Sequence, residues 1–215
     1  MKVPNDISKS VIGRLPRYYR FLGELLKNDV NRISSKDLAE KMGLTASQIR
    51  QDLNCFGGFG QQGYGYNVPE LRAKLAEILG LDKPYTAVLI GAGNLGRAVA
   101  GHMTFEDKGF RLTGIFDVDP LYKGIKIKGL PILPDSQLDE FCRDNPPDMA
   151  VLCVPAEAAA AVVDQLVACG VKNFWNFSHY DIKRAYPNVN VENVHLNDSL
   201  MMLTYQIKNR RESDT

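Results

Sequence analysis

Three glycines and an acid raise the first chemical question. Gly91, Gly93 and Gly96 stand in G-x-G-x-x-G spacing inside "VLIGAGNLGRAVAGH" (88–102). The apolar run before them reads as a buried strand and the small residues after them as a helix. That context matters, because the fingerprint alone is weak. At a strand-to-helix turn, backbone N–H groups and the positive end of the helix dipole hold a pyrophosphate. The next strand ends in "IFDVD", which puts Asp117 21 residues past Gly96. An acid there holds the hydroxyls of an adenosine ribose and repels a 2′-phosphate, so NADH and NAD+ are favoured over their phosphorylated counterparts.

The phosphate turn therefore assigns Gly91, Ala92, Gly93, Asn94, Leu95 and Gly96, and the ribose end Asp117 and Val118. The second half-site of such a fold falls after "VLCVP" (151–155) and at the end of the following strand. Val154, Pro155, Asn176 and Phe177 are expected to frame a nicotinamide there. His102, just past the fingerprint, and Leu196, ahead of the last helix, are candidates for sensing that ring near a dimer interface.

A second chemistry sits in front of this one. Residues 35–54 read as two helices joined by a turn. Ala39 is small where the helices cross, Gly43 suits a turn that needs positive φ, and Ile49 is apolar and holds the second helix on the first. Thr45 and Gln48 have capping-box spacing. Ser47, Gln48, Arg50, Gln51 and Asn54 face away from Ile49 and Leu53. Amides match an adenine edge, and a guanidinium matches guanine or phosphate. The glycine-rich stretch "GGFGQQGYGYNV" (57–68) then reads as a hairpin, a wing that brings Gln61, Gln62 and Tyr64 beside the recognition helix. The candidate DNA-binding residues are these three with Thr45, Ser47, Gln48, Arg50, Gln51 and Asn54.

The elements that must position these groups follow from periodicity. Residues 9–28 carry apolar residues at helical spacing (Ile12, Leu15, Tyr19, Leu22, Leu25, Leu26), with Pro16 expected to kink the helix or delay its start. A short strand at "NRIS" and a helix at 68–81 complete the front part. Beyond 85 the pattern alternates strand and helix, the signature of a parallel sheet with helices on both faces. The expected architecture is α/β: a winged helix-turn-helix domain over 1–84, a Rossmann-type doubly wound parallel sheet over 85–200, and a C-terminal dimerisation helix and tail over 201–215.

Composition agrees and excludes. The chain has 215 residues, 45% hydrophobic and 24% charged, ordinary values for one large or two small globular domains. Residues 1–56 hold ten Lys/Arg against six Asp/Glu, a surplus of +4, and 85–215 hold thirteen against sixteen, −3. The positive surplus lies with the helix pair, where a polyanion would bind. No apolar run is long enough to span a membrane and no leader pattern is visible, so a cytoplasmic location is expected. Cys55, Cys142, Cys153 and Cys169 stand in no C-x-x-C spacing and read as reduced and structural. Three lone histidines (His102, His179, His195) suggest no metal site, and without a flanking carboxylate or a Tyr-x-x-x-Lys pair no catalytic residue is expected. A DNA reader joined to a dinucleotide pocket without catalytic equipment implies a nucleotide used as a signal. Two alternatives remain: a small NAD-dependent oxidoreductase with an N-terminal oligomerisation domain, and an ADP- or CoA-binding regulator.

The segments "SQIRQDLNCFGGFGQQGYGYNVPEL", "GAGNLGRA", "FDVDP" and "VENVHL" occur in an order that resembles the Rex family of bacterial redox-sensing repressors. The resemblance covers nearly the whole chain. It implies a homodimer with a swapped C-terminal helix that binds palindromic operator DNA, represses fermentative and respiratory genes, and leaves DNA when NADH accumulates. The chain departs from the family at Gln51, where members often carry a second basic residue, and at Gln61 and Gln62, where the wing often carries Lys or Arg. His102 and His195 stand where many members place a Tyr and an Asp that pair with an Arg at the Arg20 position.

Overall fold

The computed structural model describes residues 7–59, 64–102 and 109–213. The chain divides into two compact units, Met1–Lys83 and Pro84–Thr215.

The first unit is built on α1 (Lys9–Lys27), β1 (Arg32–Ile33), α2 (Ser35–Met42), α3 (Ala46–Asn54), β2 (Tyr66–Asn67) and α4 (Val68–Ile78). Each helix start is written locally. Ser8, Ser34, Thr45 and Asn67 are N-caps whose side chains accept from the backbone N–H three residues on, satisfying donors that have no intrahelical partner. Gly43 closes α2 at φ +62°, the left-handed conformation glycine adopts without steric cost. Pro16 neither delays nor interrupts α1, which starts seven residues before it and runs on through it. Pro16 is exposed, so the carbonyl it leaves without a donor faces water, while buried Leu15, Tyr18, Leu22 and Leu25 hold the helix to the core. Tyr18, which the spacing did not single out, is fully buried and its hydroxyl reaches a buried acid described below; Tyr19 is half-buried against the same core and carries the Arg72 guanidinium over its ring, 4.3 Å from the centroid. Ala39 and Ile49 are buried where α2 meets α3. β1 and β2 pair antiparallel, Arg32 with Asn67 and Ile33 with Tyr66; among the described residues the glycine-rich stretch thus returns to the strand ahead of α2 and forms no strand pair within itself, and residues 60–63 at its middle lie outside the described residues.

The second unit is a seven-stranded sheet in the order β5-β6-β4-β3-β7-β8-β9. Its strands are β3 (Tyr85–Ile90), β4 (Phe110–Asp117), β5 (Lys126–Ile127), β6 (Leu130–Pro134), β7 (Met149–Leu152), β8 (Asn173–Asn176) and β9 (Asn190–Asn193). From β6 to β9 all pairings are parallel, and the order is the doubly wound 3-2-1-4-5-6; β5 is an antiparallel edge strand. The helices are α5 (Asn94–His102), α6 (Leu138–Asp144), α7 (Ala156–Ala168), α8 (Ile182–Ala185) and α9 (Leu196–Ser213). Residues 87–90 of β3 and 150–152 of β7 are apolar and buried at every position because both faces of the sheet are covered there. Val88, Ile90, Ala150 and Leu152 pack with Cys142, Val163 and Leu166 on the α6–α7 side. Leu89, Ile115 and Val151 pack with Val99 and Ala100 of α5 on the other. The last helix begins at Leu196, five residues ahead of the boundary expected at 201, and none of its residues is buried.

Candidate nucleotide cleft and DNA-reading surface

The fingerprint glycines do three different jobs. Gly91 follows β3 at φ +95°, and a Cβ there would stand 2.6 Å from the Cys153 carbonyl oxygen. A Cβ on Gly96 would stand 1.8 Å from the Gly91 carbonyl oxygen, so the helix packs on the turn only through glycine. Gly93 differs. Its φ is not left-handed, and a Cβ there would meet nothing within 4 Å. Neither backbone nor packing requires glycine at 93; a ligand approaching the turn does.

That open space belongs to a cleft of about 590 Å³ at the carboxyl ends of β3, β4 and β7, where strand order reverses and doubly wound folds bind their ligands. Gly91, Gly93, Asn94 and Leu95 line its centre, Asp117 and Val118 one end, and Val154, Pro155 and Phe177 the other. Both Asp117 oxygens are tied to backbone: one accepts from the Ala92 N–H, the other from the Asp119 N–H at 2.8 Å. This fixes the carboxylate on the cleft wall with lone pairs left for hydroxyl donors. Val118 is 75% exposed beside it, an apolar surface of the kind an adenine covers. Arg97 lies over the Tyr122 ring, 4.9 Å from its centroid, and donates to the Asn94 side chain at 2.9 Å. The residues present thus fit a dinucleotide: the α5 N-terminus for phosphates, Asp117 for a ribose, and Val154, Pro155 and Phe177 for an uncharged ring.

The remaining expected residues are placed elsewhere. Ala92 and Gly96 are buried under the turn. Asn176 is fully buried and does not line the cleft. Its Nδ2 donates to the Tyr180 carbonyl (3.0 Å) and the Asn193 side chain (2.8 Å), and its Oδ1 accepts from the Ser178 N–H (3.0 Å) and hydroxyl (2.6 Å). It holds the Phe177–His179 wall from beneath. His102, exposed at the end of α5, and Leu196, 62% exposed at the start of α9, are not among the lining residues. Ser178 and His179 line the cleft instead, and no pattern around them announced it. The His179 ring stacks on that of His195, the residue before α9, with centroids 5.4 Å apart and planes at 7°. Burial pushes the Cys153 thiol up to about 12 and the Cys142 thiol up to about 11, so neither is a thiolate at neutral pH. Among the described residues no cluster of three or more His, Cys, Asp or Glu side chains forms a metal site.

In the first unit, α3 turns Ile49, Asp52 and Leu53 inward and leaves Ser47, Arg50, Gln51 and Asn54 exposed. These four follow helical spacing on one face. Arg50 Nη1 donates to the Ser35 hydroxyl at 3.0 Å, steadying the guanidinium beside the first turn of α2. Thr45 caps the helix, and Tyr64 is 69% exposed on the wing. Gln61 and Gln62 lie outside the described residues. Gln48 is half-buried, and its amide does not close a capping box; it donates to Asp52 Oδ1 at 2.8 Å. Asp52 itself is 1% exposed. It takes Arg14 Nε at 2.7 Å, Arg14 Nη2 at 2.8 Å and the Tyr18 hydroxyl at 2.9 Å. Burial alone would raise its carboxyl; the bonds from Arg14, Gln48 and Tyr18 outweigh burial and hold it below the usual carboxylate range. Thirty-eight residues separate Arg14 from Asp52, and no local spacing reveals the pair.

Fold and site together define a winged helix-turn-helix unit joined to a Rossmann-type dinucleotide-binding unit. Comparison with known proteins agrees at both ends. Residues 6–54 match the family described as "Putative DNA-binding protein N-terminus", and residues 82–180 the "CoA binding domain". The chain belongs to the Rex family of redox-sensing transcriptional repressors: it is 55% identical over 201 residues to the Rex repressor of Caldanaerobacter subterraneus subsp. tengcongensis, covering 94% of this chain and 89% of that one. The Rex repressor of Clostridium botulinum (strain Eklund 17B / Type B) is 53% identical, with 96% and 98% covered. Among solved structures, the Rex-family repressor RSP in complex with β-NAD+ and operator DNA superposes with a TM-score of 0.89 at 51% identity, covering 98% of this chain and 96% of that one. RSP with β-NADH gives 0.88 at 49%, with 97% of each covered.

Proposed function

We propose that this chain is a cytoplasmic, homodimeric transcriptional repressor that reads the NADH/NAD+ ratio and releases operator DNA when NADH binds. The observation that carries the nucleotide half is the unfilled space at Gly93, a glycine that only a ligand explains, beside an Asp117 oriented by two backbone donors. The DNA half rests on the exposed Ser47, Arg50, Gln51, Asn54 row of α3 and on kinship with RSP, one of whose complexes holds β-NAD+ and operator DNA and another β-NADH.

The nucleotide serves as a signal. When bound it supplies a ring that is cationic when oxidised and neutral when reduced. Val154, Pro155 and Phe177 offer that ring an apolar wall and no carboxylate. A neutral ring is favoured there because burying an unpaired charge is costly. Asp117 selects the unphosphorylated ribose, and the α5 N-terminus binds the pyrophosphate without a lysine.

Dimerisation is supported by α9. Leu196, Leu200, Leu203 and Ile207 recur at spacings of four, three and four, and all are at least 46% exposed. Met201, Met202 and Tyr205 are exposed around them, so apolar surface surrounds this part of the helix; a patch of this size calls for a partner surface, and a second copy supplies the cover and the two-fold symmetry of a palindromic site. No helix among the described residues is long and apolar enough to cross a membrane.

The test is a fluorescence titration of NADH with and without saturating operator DNA, alongside a mobility shift with NADH, NAD+ and ADP. NADH is expected to release DNA at lower concentration than NAD+. Hydride transfer to an added carbonyl substrate at enzymatic rates, without DNA binding, would instead favour the oxidoreductase reading, and equal release by ADP would favour an adenine-nucleotide regulator.

A further inference from the structure

The polar network under α3 has a consequence for what the helix reads. Asp52 is a carboxylate, which only accepts hydrogen bonds. The amide atom of Gln48 that stands 2.8 Å from its Oδ1 is therefore the amino nitrogen Nε2, and the orientation of this amide is dictated by chemistry. The carboxylate cannot turn to suit another arrangement. It is 1% exposed, and both its oxygens are shared, Oδ1 between Arg14 Nη2 and Gln48 Nε2, Oδ2 between Arg14 Nε and the Tyr18 hydroxyl. Arg14 and Tyr18 both come from α1, so the scaffold helix grips the acid and the acid grips the amide. Gln48 remains half-buried rather than enclosed, in the first turn of α3 after the Thr45 cap. The opposite end of its amide, Oε1, has no partner in the described chain.

We propose that Asp52 is a positioning residue that presets Gln48 on α3 with Oε1 outward, making Gln48 a specificity-determining acceptor for a base amino group in the major groove, adenine N6 or cytosine N4. This rests on the reading of α3 as the DNA-reading helix. The N-terminal residues of such a helix are the ones that meet base edges. A bare carbonyl oxygen accepts from the amino groups of adenine and cytosine and is repelled by guanine O6 and thymine O4. A free glutamine would adapt to either by turning its amide over; one clamped at Nε2 does not. Holding the side chain in advance also lowers the ordering cost of binding.

The experiment uses the full chain and an operator selected by the wild-type protein from random palindromic duplexes. Affinities are then measured for every symmetric single-base-pair variant of that operator. Wild type is expected to require adenine or cytosine at one position of each half-site, with a loss of roughly ten-fold or more for guanine or thymine there. Gln48→Ala removes the amide while Arg14 and Tyr18 still hold Asp52; it should flatten the preference at that position and leave the others intact. Asp52→Asn offers Gln48 a donor, lets the amide turn over, and should shift the same position toward guanine or thymine. A Gln48→Ala protein whose profile matches wild type at every position overturns the proposal. A folded Asp52→Asn protein with the wild-type preference overturns the positioning role of Asp52; should that variant fail to fold, as judged by its thermal melt, Gln48→Ala alone decides. If wild type selects no palindrome at all, it is the DNA-reading assignment of α3 that fails.

Discussion

At the scale of single residues, the three fingerprint glycines separate binding from folding. Gly93→Val introduces a side chain into space that no protein atom occupies. The expected outcome is a protein with an unchanged melting temperature that no longer binds NADH and no longer releases DNA on its addition, checked by fluorescence titration and mobility shift. Gly96→Ala, one methyl group, meets backbone at 1.8 Å. It should cost at least the roughly 1–3 kcal/mol of ordinary overpacking, visible as a lowered melting temperature before any ligand is added. If both variants melted alike, the assignment of Gly93 to the ligand would fail. On the other unit, Arg50 is exposed and, among the described residues, bonded only to the Ser35 hydroxyl. Arg50→Ala should leave stability within about 0.5 kcal/mol and NADH affinity unchanged, while weakening operator binding by about 1–3 kcal/mol. Unchanged DNA affinity would remove Arg50 from the interface.

At the scale of elements, α1 and α3 are joined by a charge. The folded-state carboxyl of Asp52 is depressed, since its bonds to Arg14, Gln48 and Tyr18 outweigh burial. A depressed carboxylate contributes stability that is present above the unfolded value, about 3.9, and is lost as pH falls below that value through the lower folded one. Thermal melts from pH 7 to pH 3 should show the wild-type first unit losing stability more steeply toward acid than Asp52→Asn, which has no proton to take up there. Parallel curves would mean that the network is not coupled to folding. The last helix makes the second claim at this scale. Eighteen residues long and without a buried side chain, α9 has nothing within the described chain to hold its Leu200–Leu203 stripe. Leu200→Glu combined with Leu203→Glu should convert a dimer to a monomer in sedimentation velocity and weaken binding to a palindrome more than to a single half-site. A double variant that stays dimeric would place the interface elsewhere.

For the whole molecule, the claim is thermodynamic. If NADH lowers DNA affinity by some factor, operator DNA must lower NADH affinity by the same factor, because the two ligands share one cycle. The usual coupling, roughly 1–3 kcal/mol, corresponds to about 5- to 150-fold. Dissociation constants for NADH that are identical with and without saturating operator DNA would end the redox-sensing reading, however close the kinship with the Rex repressors.

The sequence by itself determined most of what depends on near neighbours or on period. The cap at Thr45, the turn at Gly43, the parallel-sheet alternation, and the glycine turn with Asp117 are written in spacings of a few residues or in one strand–helix–strand unit, and such rules act before the chain closes on itself. Pro16 is the instructive miss. The local rule against proline in a helix yields where the residue is exposed and four buried neighbours outweigh one absent hydrogen bond. Only the tertiary structure decided that Tyr18 is fully buried while Tyr19 packs at the core's margin, because the buried hydroxyl needs an acceptor 34 residues away in Asp52. It likewise turned Gln48 into a partner of that acid, took Asn176 out of the cleft to brace its wall, and stacked His179 on His195. Gln48 and Asp52 stand one helical turn apart, but the acid is fixed by Arg14 and Tyr18, 38 and 34 residues away, and Asn176 and His179 reach Asn193 and His195 on a later segment. A buried donor must find an acceptor, but which acceptor is near depends on how the elements pack, and no periodicity encodes that.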